Sequence, residues 1–295
     1  MMLDSAVLAA PVLDHRALDL ASARSVSYVL EQSFRYSYSA PVSALRQRLV
    51  VVPPACHGGQ RLRAYRLSVV GAPARRRVRR DRHGNTVAWL HADEVAESIE
   101  FRFAALIERE RAGGLPVLPL SALRRPELLR PTRLTAADDR LRSMADDVLR
   151  YAEAPQARAE RICDAVADAL SYADGVTSVK TTAAQALAGG RGVCQDYAHV
   201  MLALCHAAGL PARYVSGHLL GQGGTHAWVE VIVPRARHAV AVPFDPCNGK
   251  RADAGYVTVA VGRDYLDVAP TSGSYLGTSS NRLTAARRVG VLAAA

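Results

Sequence analysis

Gly189-Gly190-Arg191-Gly192-Val193-Cys194-Gln195-Asp196-Tyr197-Ala198-His199 is the stretch on which the fold of this 295-residue chain turns. Three glycines bend the backbone, and the pattern then changes. From Cys194 onward Ala198, Met201, Leu202, Cys205 and Ala208 recur at i, i+3, i+4 and i+7 spacing, which predicts a helix with an apolar face. Gly209 and Pro211 close it. Cys194 therefore stands in a first turn, where backbone N–H groups lack intrahelical partners and together carry roughly half a positive charge. A free cysteine titrates near ~8.5, and a helix start with a cationic neighbour lowers that to roughly 3.5–7.5. The spacing thus mounts a nucleophilic thiol.

Downstream, Val229, Val231 and Val233 alternate with Glu230 and Ile232, a strand that opens at His226, and the next strand-like run, His238–Pro243, leads to Asp245. A hairpin with its tip between Arg235 and Ala236 sets Val233 opposite His238 and His226 opposite Asp245. Directly opposed residues share a face with Cβ atoms about 4.5–5.5 Å apart, so the carboxylate can hold one imidazole nitrogen and leave the other for a thiol. Each residue is ordinary alone: a strand-edge His, a turn Asp before Pro246, a cysteine at a helix start. Together and in this order they read as Cys194 nucleophile, His226 base and Asp245 orienter.

Outward from this centre the two halves differ. Ser25 to about Arg111 is strand-like throughout, with turns at Pro53-Pro54, Gly58-Gly59, Gly71-Ala72-Pro73 and His83-Gly84-Asn85, an antiparallel sheet or sandwich. Ala112–Pro131 is rich in Gly and Pro and reads as a linker. Helices then follow: one opened by a Thr135/Asp138 capping pattern through about Tyr151, one over Gln156–Ala173 and a short one over Thr182–Ala188. After Pro211 strands return at Ala212–Leu220, Ala227–Val233, His238–Pro243 and Tyr256–Val261. The fold class expected is α+β. Residues 1–24 form a flexible N-terminus, 25–111 a β-rich domain, 112–134 a linker, 135–280 the catalytic core and 281–295 a tail.

Composition narrows the function. With 49% hydrophobic and 22% charged residues the chain is neither disordered nor membrane-spanning, since its longest apolar stretch, Val193–Leu210, contains Gln195, Asp196 and His199. Asp4 stands where a signal peptide wants Lys or Arg, so a cytoplasmic protein is expected. Five scattered cysteines, an odd number without a CxxC pair, argue against a disulfide framework and structural zinc; no cofactor and no metal is expected. Cys163 and Cys205 fall on helical apolar faces. The net charge of +10 invites a nucleic-acid reading, but only two of 37 basic residues are lysines, and the one dense run, Arg75–Arg82, flanks a turn. No zinc-finger, basic-zipper or aromatic-basic RNA pattern accompanies it. A peptide, protein or small amide is the expected substrate, with no specific nucleic acid and no membrane; oligomeric state is not encoded.

Gly192–His199, Gly209–Gly217, His226–Glu230 and Phe244-Asp245-Pro246, followed by Val259–Tyr265 and Asp267–Pro270, together resemble the bacterial branch of the transglutaminase-like superfamily over roughly Thr135–Gly277. Tyr36-x-Tyr38-x-x-Pro41-Val42 and Asp81-x-x-Gly84-Asn85 resemble the N-terminal region that accompanies that core. The resemblance implies a papain-like core with a triad at Cys194, His226 and Asp245. Cys247 replaces the Thr usual after Phe-Asp-Pro; it reads as a packed substitute, with a disulfide to Cys194 as the other reading. His218 stands where an aromatic is common and reads as a rim or packing residue, His199 as structural and Trp228 as packing beside the site. The Cys194 N–H is the expected first oxyanion donor, and Gln195 is the candidate for a second. The function expected is thiol-dependent acyl transfer at amide or peptide bonds, hydrolysis before transamidation; a non-catalytic binding or scaffold protein is the alternative.

Overall fold

The computed structural model describes residues 8–150 and 154–295. The first seven residues of the expected flexible N-terminus and Tyr151, the expected end of the first long helix, lie outside them. Seven strands come first: β1 (Ser25–Tyr38), β2 (Val42–Val52), β3 (Cys56–His57), β4 (Gln60–Val70), β5 (Arg75–Arg80), β6 (Thr86–Val95) and β7 (Ser98–Glu110). They divide between two antiparallel sheets whose inner faces bury Leu30, Phe34 and Phe101 from one and Leu45, Leu49 and Leu90 from the other in one apolar cluster. Alternating burial along β1 and β2 is what a half-covered sheet imposes.

The expected linker is structured. Val117–Leu118 forms β8, and Pro126–Leu129 forms a one-turn helix, α1. Next come α2 (Asp139–Leu149), α3 (Pro155–Ala169), β9 (Ser171–Tyr172), α4 (Ala183–Gly189), β10 (Arg191–Gly192) and α5 (Cys194–Ala207). The cap of α2 is Asp138, whose carboxylate accepts the Leu141 N–H, whereas Thr135 accepts the Thr132 N–H outside the helix. Asp138 directly precedes the first helical residue, so its carboxylate reaches the free N–H groups that Thr135 cannot. α4 carries a full capping box, Thr182 with Gln185.

β11 (Ala212–Leu219), β12 (His226–Pro234), β13 (Ala239–Asp245), β14 (Lys250–Arg251) and β15 (Tyr256–Gly262) build the second half's sheet in the order β14-β13-β12-β11-β15, with β8 adding to β13. α5 is apolar nearly all round because it is buried between this sheet and the helices α2, α3 and α4. After α6 (Tyr265–Val268), β16 (Thr271–Leu276) pairs with β2 and β17 (Asn281–Ala294) pairs with β1. Residues 281–295 are therefore not a tail. Val289 and Val291 face the core of the first domain, and thirteen residues of β1 find partners along this strand.

The halves are also tied by side chains reaching backbone. Asn85 both donates to the Val261 carbonyl and accepts the Val261 N–H, and Gln60 does the same with Thr258. Tyr28 donates to the Ala254 carbonyl, and Arg109 to that of Tyr256.

Candidate active site

β10 lies parallel to β9 with Gly192 opposite Tyr172, and it delivers the chain to Cys194. Gly190 ends α4 at φ +63°, a left-handed conformation glycine adopts without steric cost. Gly192 is required for a different reason. A Cβ there would overlap the Asp196 side chain, which folds back to accept the Val193 N–H at 2.8 Å and the Thr177 hydroxyl at 2.6 Å. Burial pushes the Asp196 carboxyl up, against the hydrogen bonds from Thr177 and Val193 that favour its charge. Cys194 itself is half-buried.

His226 and Asp245 meet as expected in partners but not in register. β12 and β13 pair with Val233 opposite Val240 and Val229 opposite Phe244, two residues away from the expected alignment. The turn is longer than the expected two-residue tip, closing with the Arg235 N–H on the His238 carbonyl. A shift of two preserves the face of every side chain, as a shift of one would not. His226 and Asp245 are accordingly diagonal neighbours, and His226 Nε2 lies 2.7 Å from Asp245 Oδ2. Both are buried. With Nε2 committed to Asp245, the nitrogen left for the Cys194 sulfur is Nδ1, and Cys194 favours the protonated imidazole.

Asp245 is held from all sides. Oδ1 accepts the N–H groups of Cys247 at 3.0 Å and Asn248 at 3.3 Å. Oδ2 accepts the Asn248 amide at 2.6 Å and the Tyr256 hydroxyl at 2.7 Å besides the imidazole. Burial works against its charge, yet the His226 contact, then Asn248 and Tyr256, keep its carboxyl below the ordinary value. Burial likewise opposes the His226 cation, but the hydrogen bonds and charges of Asp245 and Cys194 prevail and push it up to about 9. The imidazole is thus a proton holder at neutral pH.

Trp228 stacks on His226 with ring centroids 6.2 Å apart, and Tyr256 meets Trp228 edge-on at 5.4 Å. Gly217, opposite His226 in β11, makes room for the Trp228 ring. Cys247 packs partly buried beside the site as a free thiol, pushed up to about 12 by burial and by the charges of Asp245 and Cys194. His218 is not on the rim: it is buried against Gln32 of β1, and burial drives it down to about 3. His199 is buried too, accepting the Tyr265 N–H, and is driven down to about 4. Gln195 donates to the Ser178 carbonyl at 3.4 Å, which ties it to the 176–181 loop.

Sequence reasoning missed three participants. Asn248 had a local signal, since an Asx-type turn after Asp-Pro places donors two and three residues on. Tyr256 had none, because β15 reaches Asp245 from the far edge of the sheet through β11. Tyr172 is set opposite Gly192, two residues before Cys194, by β9, a two-residue strand too short to leave a pattern; burial first, then the charges of Asp174 and Cys194, push its phenol up to about 12.

Residues 142–246 match the transglutaminase-like superfamily core, and residues 28–108 match the bacterial transglutaminase-like N-terminal region. An uncharacterized protein of Mycobacterium tuberculosis is 29% identical over 282 residues, covering 86% of this chain and 85% of its own length. An uncharacterized protein of Mycobacterium leprae is 33% identical over 167 residues, covering 53% and 58%. The crystal structure of a candidate cysteine protease from Cytophaga hutchinsonii superposes with a TM-score of 0.72 at 21% identity, covering 91% of both chains.

Proposed function

Given that this chain belongs to the transglutaminase-like superfamily, a family of thiol enzymes, we propose that it is an acyl-transfer enzyme acting on amide or peptide bonds through Cys194, His226 and Asp245. The observation that carries this reading is a buried His226–Asp245 pair at 2.7 Å, with Cys194 at the start of α5 favouring the proton on the same imidazole.

The chemistry follows from where the protons sit. His226 already holds on Nδ1 the proton given up by Cys194, and the sulfur attacks the amide carbonyl. The carbonyl oxygen becomes an anion, which the Cys194 N–H and the α5 N-terminus stabilise. As the tetrahedral adduct collapses, the C–N bond breaks and His226 delivers its proton to the departing amine, leaving a thioester. Asp245 keeps Nε2 protonated throughout, so the ring stays in the tautomer that serves sulfur. His226 then takes a proton from water, which adds to the thioester and releases the acid and the thiol. Water at about 55 M is the default acceptor at a thiol partly open to solvent, so hydrolysis is favoured over transfer to an amine. The cytoplasm, where an odd set of five thiols is kept reduced, is the compartment proposed.

Cys194→Ala is expected to abolish turnover of peptide and glutamine-amide libraries, and to remove iodoacetamide labelling at that position. A folded wild-type protein whose Cys194 resists iodoacetamide near neutral pH would overturn the proposal.

A further inference from the structure

The run Arg75–Arg80 forms β5, a strand with all six residues exposed. β6 covers one side of it, and the other side ends the sheet. Pairing with β6 and β2 organises the arginines into rows: Arg77–Trp89–Arg48 and, beside it, Arg75–His91–Arg46. Opposed residues point the same way, so four arginines share one sheet face with an indole, one of them, Arg48, donating to the Asp267 carbonyl. Trp89 is 47% exposed there, a large exposure for a tryptophan flanked by strands. Arg46, Arg75, Arg77, Trp89 and His91 line a hollow of about 380 Å³. Asp93 engages Arg75 and His91, but Arg46, Arg77 and Arg79 have no carboxylate partner among the described residues.

We propose that β5 is a docking edge for an acidic polypeptide segment that adds to the sheet as an extended strand. Three features select that occupant. The open edge presents main-chain N–H and C=O groups that only another polypeptide backbone can pair in series. Arg75, Arg77 and Arg79 recur at alternate positions, about 6.8 Å apart, the spacing of same-face side chains in an extended peptide. A second copy of this chain is rejected at the edge, because arginine would face arginine; the charge that repels a like strand attracts an acidic one.

The chain carries two tryptophans, and Trp228 is buried, so Trp89 reports on this face. The test titrates the protein with the octapeptide of four Glu-Val repeats, its Lys-Val counterpart, the Glu-Val peptide N-methylated at every backbone amide, and a 12-mer oligothymidylate. Saturable change in Trp89 emission with the Glu-Val peptide is expected, absent with Lys-Val and in Trp89→Phe. Affinity should fall about tenfold or more in the double variant Arg77→Glu/Arg79→Glu. The variant Arg124→Glu/Arg125→Glu, equal in net charge but on exposed residues elsewhere, should bind as the wild type does. Equal losses in both double variants, or oligothymidylate binding as tightly as the peptide, would reassign the effect to bulk positive charge. Undiminished binding of the N-methylated peptide would overturn strand addition, and no saturable change at low salt would overturn the site.

Discussion

Replacing Asp245 by Asn removes one negative charge from a fully buried position and leaves its volume almost unchanged. The proton on His226 is stabilised from an ordinary 6.5 to about 9, about 3 kcal/mol at 1.36 per tenfold change in proton affinity. Burial opposes that stabilisation, and Asp245 contributes the leading hydrogen bond together with a share of the charge attraction. Without it burial dominates, and the imidazole should titrate at or below its ordinary value. Geometry adds a second penalty. Tyr256 and Asn248 both donate to Oδ2, as His226 does, so an amide NH2 placed there would face three donors. The amide must turn or expel a partner. We expect kcat/KM to fall by about 10² to 10⁴. The substrate-free assay is the rate of Cys194 alkylation by iodoacetamide, mapped by mass spectrometry between pH 4 and 10. Wild-type reactivity should change near pH 9 as the imidazolium is lost, and in Asp245→Asn that inflection should move to or below pH 6.5. A folded Asp245→Asn protein with its inflection still near 9 and activity within about threefold of wild type would refute the reasoning.

Other expectations concern the surroundings of the site. Wild-type kcat/KM should have an alkaline limb near pH 9, because His226 must hold a proton for the leaving amine; a plateau continuing past pH 10 would separate the imidazole from that step. Glu230 is buried between Arg213 and His57 at 2.7 and 2.6 Å. Burial opposes its charge, but Arg213 and His57 hold it down to about 2. Its contribution is complete above its unfolded value near 4.5 and is lost as pH falls toward 2. Glu230→Gln should therefore cost about 3–5 kcal/mol at pH 7 by denaturant titration, and the gap to wild type should close in acid. A Cβ at Gly217 would overlap the Val257 carbonyl and the Trp228 ring. Gly217→Ala should lower stability by about 1–3 kcal/mol and slow Cys194 alkylation, since Trp228 backs His226; an unchanged Tm would count against that packing.

Much of the site was legible because its determinants are local. A glycine bend followed by helical periodicity placed Cys194, and strict alternation after His226 placed its strand. The partnership of His226 with Asp245 survived a register error because an even shift cannot change a side chain's face. What escaped the sequence depended on distant pairing. Tyr256 joins Asp245 only through the β11–β15 pairing. Of the rim and packing readings of His218 only packing holds, a choice the sequence left open because its partner, Gln32, is 186 positions away. The 281–294 stretch, rich in Ala and Arg, lacks the apolar alternation of a typical strand, since half of its residues are exposed and its pairing with β1 carries it.

That pairing has a bearing on how the molecule can be cut and how it must be made. β16 and β17 each close an edge of a different sheet in the first domain, so any fragment ending before residue 271 leaves two ladders open to unwanted partners. During synthesis the first domain leaves the ribosome with both margins bare and must wait for the last tenth of translation to seal them. The Arg24 N–H meets the Ala295 carbonyl at 2.5 Å, which makes positions 24 and 295 natural points to join in a circularly permuted protein.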